Sequence, residues 1–242
     1  MSKFKVNGII EPEGICFKQG FVLNFYTDNQ IIIKINPEIN NKNKLLIEWE
    51  MNLDNSQGRE EAKFIGKQIL SMISNLLSYF GDIVIKNYGV INIYDLTNQQ
   101  GYGTSTIALT ACFEKEISEK EIKDLQKKLE KDYSEDFIEI TSMWQQARSA
   151  KSIVEEYLYL YRILEKIFTK QSEIDDWIIK QKDFKVEYRT DSHKGEQTIF
   201  TWLRNNIHPK QLLFPIEEIE SYLPQLIRLT KLAIQEKFAK EL

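Results

Sequence analysis

In the first half of the chain, apolar positions alternate with polar ones or gather into short β-branched and aromatic runs, the pattern of strands. Residues 5–10, 20–26, 30–35 and 44–49 are such segments, separated by turn-forming clusters at 11–14, 27–29 and 37–44. They predict a hairpin-rich antiparallel sheet. From Gln57 the period lengthens. Ala62, Ile65, Ile69, Met72, Ile73, Leu76 and Leu77 keep an i, i+3, i+4 rhythm, which predicts a helix capped by Asn55 or Ser56 with Glu60 and Glu61 in its first turn. Strand patterns return at 82–85, 90–94 and 104–113. The stretch 98–103 between them reads as a flexible hairpin turn, because it lacks the lysine and the helix N-terminus of a phosphate loop. Ser118 then opens a charged helix to about Lys131, with Ile122, Leu125 and Leu129 as its inward stripe.

Beyond about residue 140 the pattern is helical, with no further hairpin. In residues 152–170, Ile153, Tyr157, Leu160, Tyr161, Leu164, Ile167 and Phe168 form one broad face, while Glu155, Glu156, Arg162, Glu165 and Lys166 mostly lie off it. Shorter helices are expected at 173–180 and 197–207. A last one begins near Pro215 and runs through Leu223, Leu226, Leu229, Leu232 and Phe238, with Pro224 as a point of kinking. The expected fold class is α+β. A β-rich N-terminal domain, residues 1–140, with one or two packing helices precedes an all-α bundle, residues 141–242, for which four helices are the economical solution.

Composition narrows the classes. A chain of 242 residues that is 42% hydrophobic, with 10 Gly and 5 Pro, has the material for a sizeable core and is not disordered or low-complexity. The net charge of -4 argues against a whole-molecule field for nucleic acid or anionic membrane. Residues 141–242 hold 16 Lys/Arg against 15 Asp/Glu, and residues 1–140 hold 16 against 21, so the second half is the better place for a polyanion. Cys16 and Cys112 have neither metal-ligand spacing nor a disulfide framework, which fits a reducing cytoplasm. The N-terminal segment does not read as a signal peptide, and no apolar run approaches the roughly 18 residues that span a bilayer, so no membrane partner is expected.

The motifs of P-loop, dinucleotide-binding, H-E-x-x-H and G-x-S-x-G enzymes are absent, and no clustered Cys/His metal site or cofactor motif is present. Imidazole chemistry therefore falls to His193 or His208, each with an arginine four residues upstream, Arg189 and Arg204. The first pair lies in a polar stretch that reads as a surface loop. In the second, a histidine that moves protons and a guanidinium that clamps a phosphate oxygen are suited to attack of a ribose 2′-hydroxyl on the adjacent phosphodiester. The same residues also fit a structural reading, with Arg204 paired to a carboxylate on a neighbouring helix and His208 as a polar helix-end residue.

Three segments carry a family resemblance. Residues 155–165 (EEYLYLYRILE) resemble the long second helix of bacterial HEPN domains, residues 203–209 (LRNNIHP) are similar to their Arg-polar-His signature, and residues 226–232 (LIRLTKL) resemble their last helix. The likeness covers roughly residues 143–242. Three residues separate Arg204 from His208, fewer than is usual in HEPN nucleases. HEPN domains are all-α bundles, usually dimeric, and many are metal-independent ribonucleases of toxin–antitoxin or phage-defence systems. The resemblance thus implies a cytoplasmic endoribonuclease acting on RNA without a cofactor, as a homodimer, with Arg204 and His208 as catalytic residues and Asn205 as the supporting polar residue. Lys166, Lys170, Lys180 and Lys182 are candidates to track the RNA phosphates, against a plain role as solvated helix surface. The rival reading is a non-catalytic HEPN-like module that dimerises and engages a protein or nucleotide partner. A regulatory protein or a small nucleotide as trigger is a further expectation.

Overall fold

The computed structural model describes residues 2–13, 15–17, 19–25, 31–38, 41–53, 58–97, 100–103, 115–182, 184, 186–191, 195–207 and 216–242. The fold is mixed α and β, with two compact units, Met1–Gln145 and Gln146–Leu242.

The first unit contains β1 (Ser2–Glu13), β2 (Ile15–Phe17), β3 (Phe21–Phe25), β4 (Ile31–Glu38), β5 (Asn41–Leu53), α1 (Gly58–Gly81), β6 (Val84–Asp95), β7 (Gln100–Gly103), β8 (Lys115–Ile117), α2 (Glu119–Leu129) and most of α3 (Glu135–Arg148). Six strands form one antiparallel sheet in the order β3-β4-β5-β1-β6-β7, and β2 pairs with β8 in parallel. Because side chains alternate between faces, one register row carries Leu23, Ile33, Trp49, Val6 and Ile93 across five strands, all buried on one face. Lys3 and Lys5 point to the other face and pair there with Glu50 and Glu48.

Helix α1 covers the apolar face through Ala62, Gly66, Leu70, Ile73 and Leu77. Gly66 sets the closeness of that packing: a Cβ there would lie 3.1 Å from Val90 and 3.3 Å from both Trp49 and Val6. Ser118 caps α2, its hydroxyl accepting from the Glu121 N–H while the Glu121 carboxylate accepts from the Ser118 N–H, a reciprocal capping box. Helix α2 also closes the free edge of β3. Gln126 donates to the Val22 carbonyl at 2.8 Å, and Glu130 accepts from the Asn24 N–H at 2.9 Å, so two side chains one turn apart satisfy outward-facing edge groups.

The sequence pattern needs several corrections here. Residues 11–13 continue β1 rather than turning. Pro12 is accommodated at a register shift against β6, and Pro37 adjoins another in β4, where a bulge tolerates a residue without an N–H. Residues 82–85 and 90–94 contribute to one long strand, β6. Gln100–Gly103, expected as turn, is strand β7 paired with residues 92–95. Helix α3 is a third helix packed in this unit, with Phe137 and Trp144 edge-on to Tyr79. The candidate caps Asn55 and Ser56 and the expected strand at 104–113 lie outside the described residues.

The second unit contains α4 (Ile153–Ile167), α5 (Gln171–Lys180), β9 (Tyr188–Asp191), β10 (Gly195–Thr198), α6 (Ile199–Asn206) and α7 (Ile216–Lys237). Ser152 caps α4, and Tyr157, Leu160, Tyr161 and Leu164 are buried in a core shared with Leu226, Leu229 and Ala233 of α7. Pro224 occupies an exposed position inside α7, which runs continuously through it. An all-helical second half is corrected by the β9–β10 hairpin, whose return is eased by Gly195 at φ +78°. Its YRTD and GEQT strands lack the apolar alternation that marks a strand in sequence.

Candidate functional site

Helix α6 is only eight residues long, so its position is set by what holds it rather than by its own helical propensity. Thr198 caps it. The Asp175 carboxylate of α5 accepts at one oxygen from the Thr198 hydroxyl (2.5 Å), the Thr201 hydroxyl (2.6 Å) and the Thr198 N–H (3.3 Å). From α4, the Tyr157 hydroxyl donates to the Phe200 carbonyl at 2.9 Å, and the Tyr161 hydroxyl shares a 2.7 Å hydrogen bond with Thr201. Burial holds both phenols above their ordinary range; for Tyr161 the Thr201 hydrogen bond and the nearby Arg204 pull the other way. Tyr157 and Tyr161 therefore act as neutral, fully buried anchors of α6.

Fixed in this way, the last turn of α6 faces an exposed stripe of α4. Arg204 Nη2 lies 2.8 Å from Glu165 Oε1. Around this pair runs a half-open cleft of about 380 Å³, lined by Glu155, Leu158, Tyr159, Arg162 and Glu165 from α4 and by Arg204 and Ile207 from the end of α6. The α4 residues follow at i, i+3, i+4, i+7 and i+10, a single helical face opposite the buried one. The cleft is apolar at Leu158 and Ile207, aromatic at Tyr159, and carries two guanidinium groups against two carboxylates. That combination suits a ligand with both a phosphate and a flat, hydrogen-bonding ring.

Of the expected catalytic and RNA-binding residues that are described, Arg204 lines this cleft. Asn205 points elsewhere: its amide bonds with Gln171 at 3.1 Å and Gln197 at 3.2 Å. Consecutive helical residues project about 100° apart, so Arg204 and Asn205 cannot share a direction. His208 and Pro209 lie outside the described residues, as does His193. Lys166, Lys170, Lys180 and Lys182 are exposed, none of them lining the cleft. Lys170 and Lys180 flank or end the ten-residue α5, which is about 15 Å long. Arg189, expected in a surface loop, is on β9, paired with Glu218 at 2.9 Å and 5.7 Å from the centre of the Trp202 ring.

Sequence reasoning missed Tyr159 and Arg162 as cleft residues and Asp175, Thr198 and Thr201 as the clasp of α6. The helical stripe of residues 155–165 was the available signal for the first pair; the clasp joins residues more than twenty positions apart and has no local signature. Among the described residues, no group of three or more His, Cys, Asp or Glu is arranged to hold a metal ion, and no helix is long and apolar enough to cross a membrane. Comparison with protein-family models, with curated proteins and with solved structures gives no match for this chain.

Proposed function

We propose that the second unit is a HEPN-like domain and that the protein is a metal-independent endoribonuclease of a bacterial defence or toxin-type system, working as a homodimer in the cytoplasm. The observation that carries this reading is the α4–α6 cleft: residues 155–165 and the arginine of LRNNIHP, some forty positions apart, line one concave surface. In the proposed reaction His208 takes the proton of a ribose 2′-hydroxyl as that oxygen attacks the adjacent phosphorus. The bond from phosphorus to the 5′-oxygen breaks, the leaving oxygen takes a proton from water, and a 2′,3′-cyclic phosphate remains. Arg204 stabilises the charge that builds on the non-bridging oxygens. Asn205, held by Gln171 and Gln197, supports the end of α6 rather than the reacting groups.

A second reading is favoured by the ion pair itself. In the Glu165–Arg204 contact the guanidinium already has a carboxylate partner, as in a non-catalytic binding or assembly module. Incubating a labelled RNA in EDTA with the wild-type chain, Arg204→Ala and His208→Ala separates the two. The nuclease reading requires cleavage by the wild type that both substitutions abolish. A folded chain that leaves RNA intact in all three samples favours the module.

A further inference from the structure

Within the cleft the charges are not equivalent. Glu165 is engaged by Arg204, and Glu155 accepts a hydrogen bond from the Lys151 N–H at 3.2 Å. Arg162 is exposed and, among the described residues, has no ion pair. One turn before it, Tyr159 turns a half-buried ring to the same cleft. It differs from Tyr157 and Tyr161, which are buried with their hydroxyls hydrogen-bonded to α6. A half-buried aromatic ring at i and, at i+3, a guanidinium with no ion pair among the described residues lie about 5–6 Å apart at their Cβ atoms. Together they offer a fork for a phosphate and a platform for a base.

We propose that Arg162 and Tyr159 form a nucleotide subsite for single-stranded RNA, with a phosphate on the Arg162 guanidinium and the neighbouring base stacked on Tyr159. The carboxylates in the walls select for this ligand over a bare polyanion. Glu155 and Glu165 repel a run of phosphates but accept hydrogen bonds from base amino groups, which an unpaired strand presents and a duplex hides. The cleft volume of about 380 Å³ holds one nucleotide unit rather than a helix. The subsite also differs in place from Lys166, Lys170, Lys180 and Lys182, which lie outside the cleft. The inference rests on the cleft being the RNA site, not on the bond being cleaved there.

The test is fluorescence anisotropy with the full chain, in EDTA, using a labelled 2′-O-methyl RNA strand that has no free 2′-hydroxyl to attack. Arg162→Ala is expected to weaken binding about tenfold, as for a lost charged hydrogen bond. It should also reduce the slope of log affinity against log salt by about 0.7, the value of one phosphate contact on a single strand. Tyr159→Ala is expected to weaken binding about fivefold or more with the slope unchanged, and Tyr159→Phe to retain wild-type affinity. A duplex of the same length should compete poorly. Binding unchanged in both alanine variants overturns the subsite even if the wild type cleaves RNA, and so does an affinity loss in Arg162→Ala without a change of slope. Arg162-dependent binding by a chain that cleaves nothing upholds the subsite and removes the nuclease. A wild-type chain that does not bind the strand overturns the RNA cleft altogether.

Discussion

Removing the Asp175 carboxylate should loosen the helix that carries Arg204. Asp175 lies on α5, and its Oδ1 accepts from the Thr198 N–H and from the hydroxyls of Thr198 and Thr201. Both threonines are essentially solvent-free, at 0% and 1% exposure, so water cannot replace the lost acceptor without opening the packing. A hydrogen bond to a charged group contributes about 1.5–3 kcal/mol, and a buried donor left without a partner adds to the loss. Three donors share one oxygen here, Asp175 is half-buried, and Thr201 keeps Tyr161. These features reduce each contribution, giving a total of about 3 kcal/mol for Asp175→Ala. Asp175→Asn keeps an acceptor without the charge and should lose about 1 kcal/mol. In urea, with a slope of ~2 kcal/mol per molar, the alanine variant should shift the midpoint of the second unit's transition by about 1.5 M. A double-mutant cycle with Thr201→Val should give a coupling of about 1 kcal/mol. A loss below about 0.5 kcal/mol for Asp175→Ala, or strict additivity in the cycle, would refute the clasp.

Two other outcomes follow from the packing. Gln126→Ala combined with Glu130→Ala uncovers the β3 edge; urea unfolding should show a loss of about 1–2 kcal/mol and light scattering an increase in association, and unchanged values in both would contradict the edge-closing role. In alkali, Tyr222 is pushed up to about 12 by burial, by its hydrogen bond to Glu187 and by the charges of Glu187 and Glu218, while burial raises Tyr79, Tyr157 and Tyr161 further. A phenol whose folded pKa exceeds its unfolded value of about 10 stabilises fully below that pH and loses its contribution as pH climbs toward the folded value. Stability should therefore fall between about pH 10 and 12, with these phenolates absorbing only as the chain unfolds. Titration of all 11 tyrosines near pH 10 in an intact fold would contradict it.

Much of the fold was legible because burial in this protein follows simple periods. The alternation of Phe4, Val6 and Ile10, and of Leu45, Ile47 and Trp49, gives the sheet its inner face, and Ser118 marks the start of α2. Prolines misled. Pro12 suggested a turn, yet in a strand a bulge removes the need for its missing N–H. Helix α3 spans the expected domain boundary near residue 140 and was not expected in the first half, although Phe137, Ile140, Trp144 and Ala147 carry helical spacing. The β9–β10 hairpin was illegible, since its strands contain little apolar surface and depend on α5 and α6 for their place.

The site was half legible for the same physical reason. A helix stripe can be counted from sequence, so the exposed face of α4 was within reach, but the partner of Arg204 depends on how two helices cross. The 100° step between neighbours was enough to warn that Arg204 and Asn205 face different ways. The lysines were chosen by charge alone. Charge fixes no direction, and the structure sets them on exposed surface that does not line the Arg204 cleft.

The proposed activity is tested most directly by incubating the purified 242-residue chain with total RNA in EDTA, beside His208→Ala, and determining the fragments and their ends. Discrete cleavage by the wild type alone is expected, leaving 2′,3′-cyclic phosphate and 5′-hydroxyl ends. Intact RNA in both samples, or equal cleavage in both, from chains shown by scattering to be folded dimers, would contradict it.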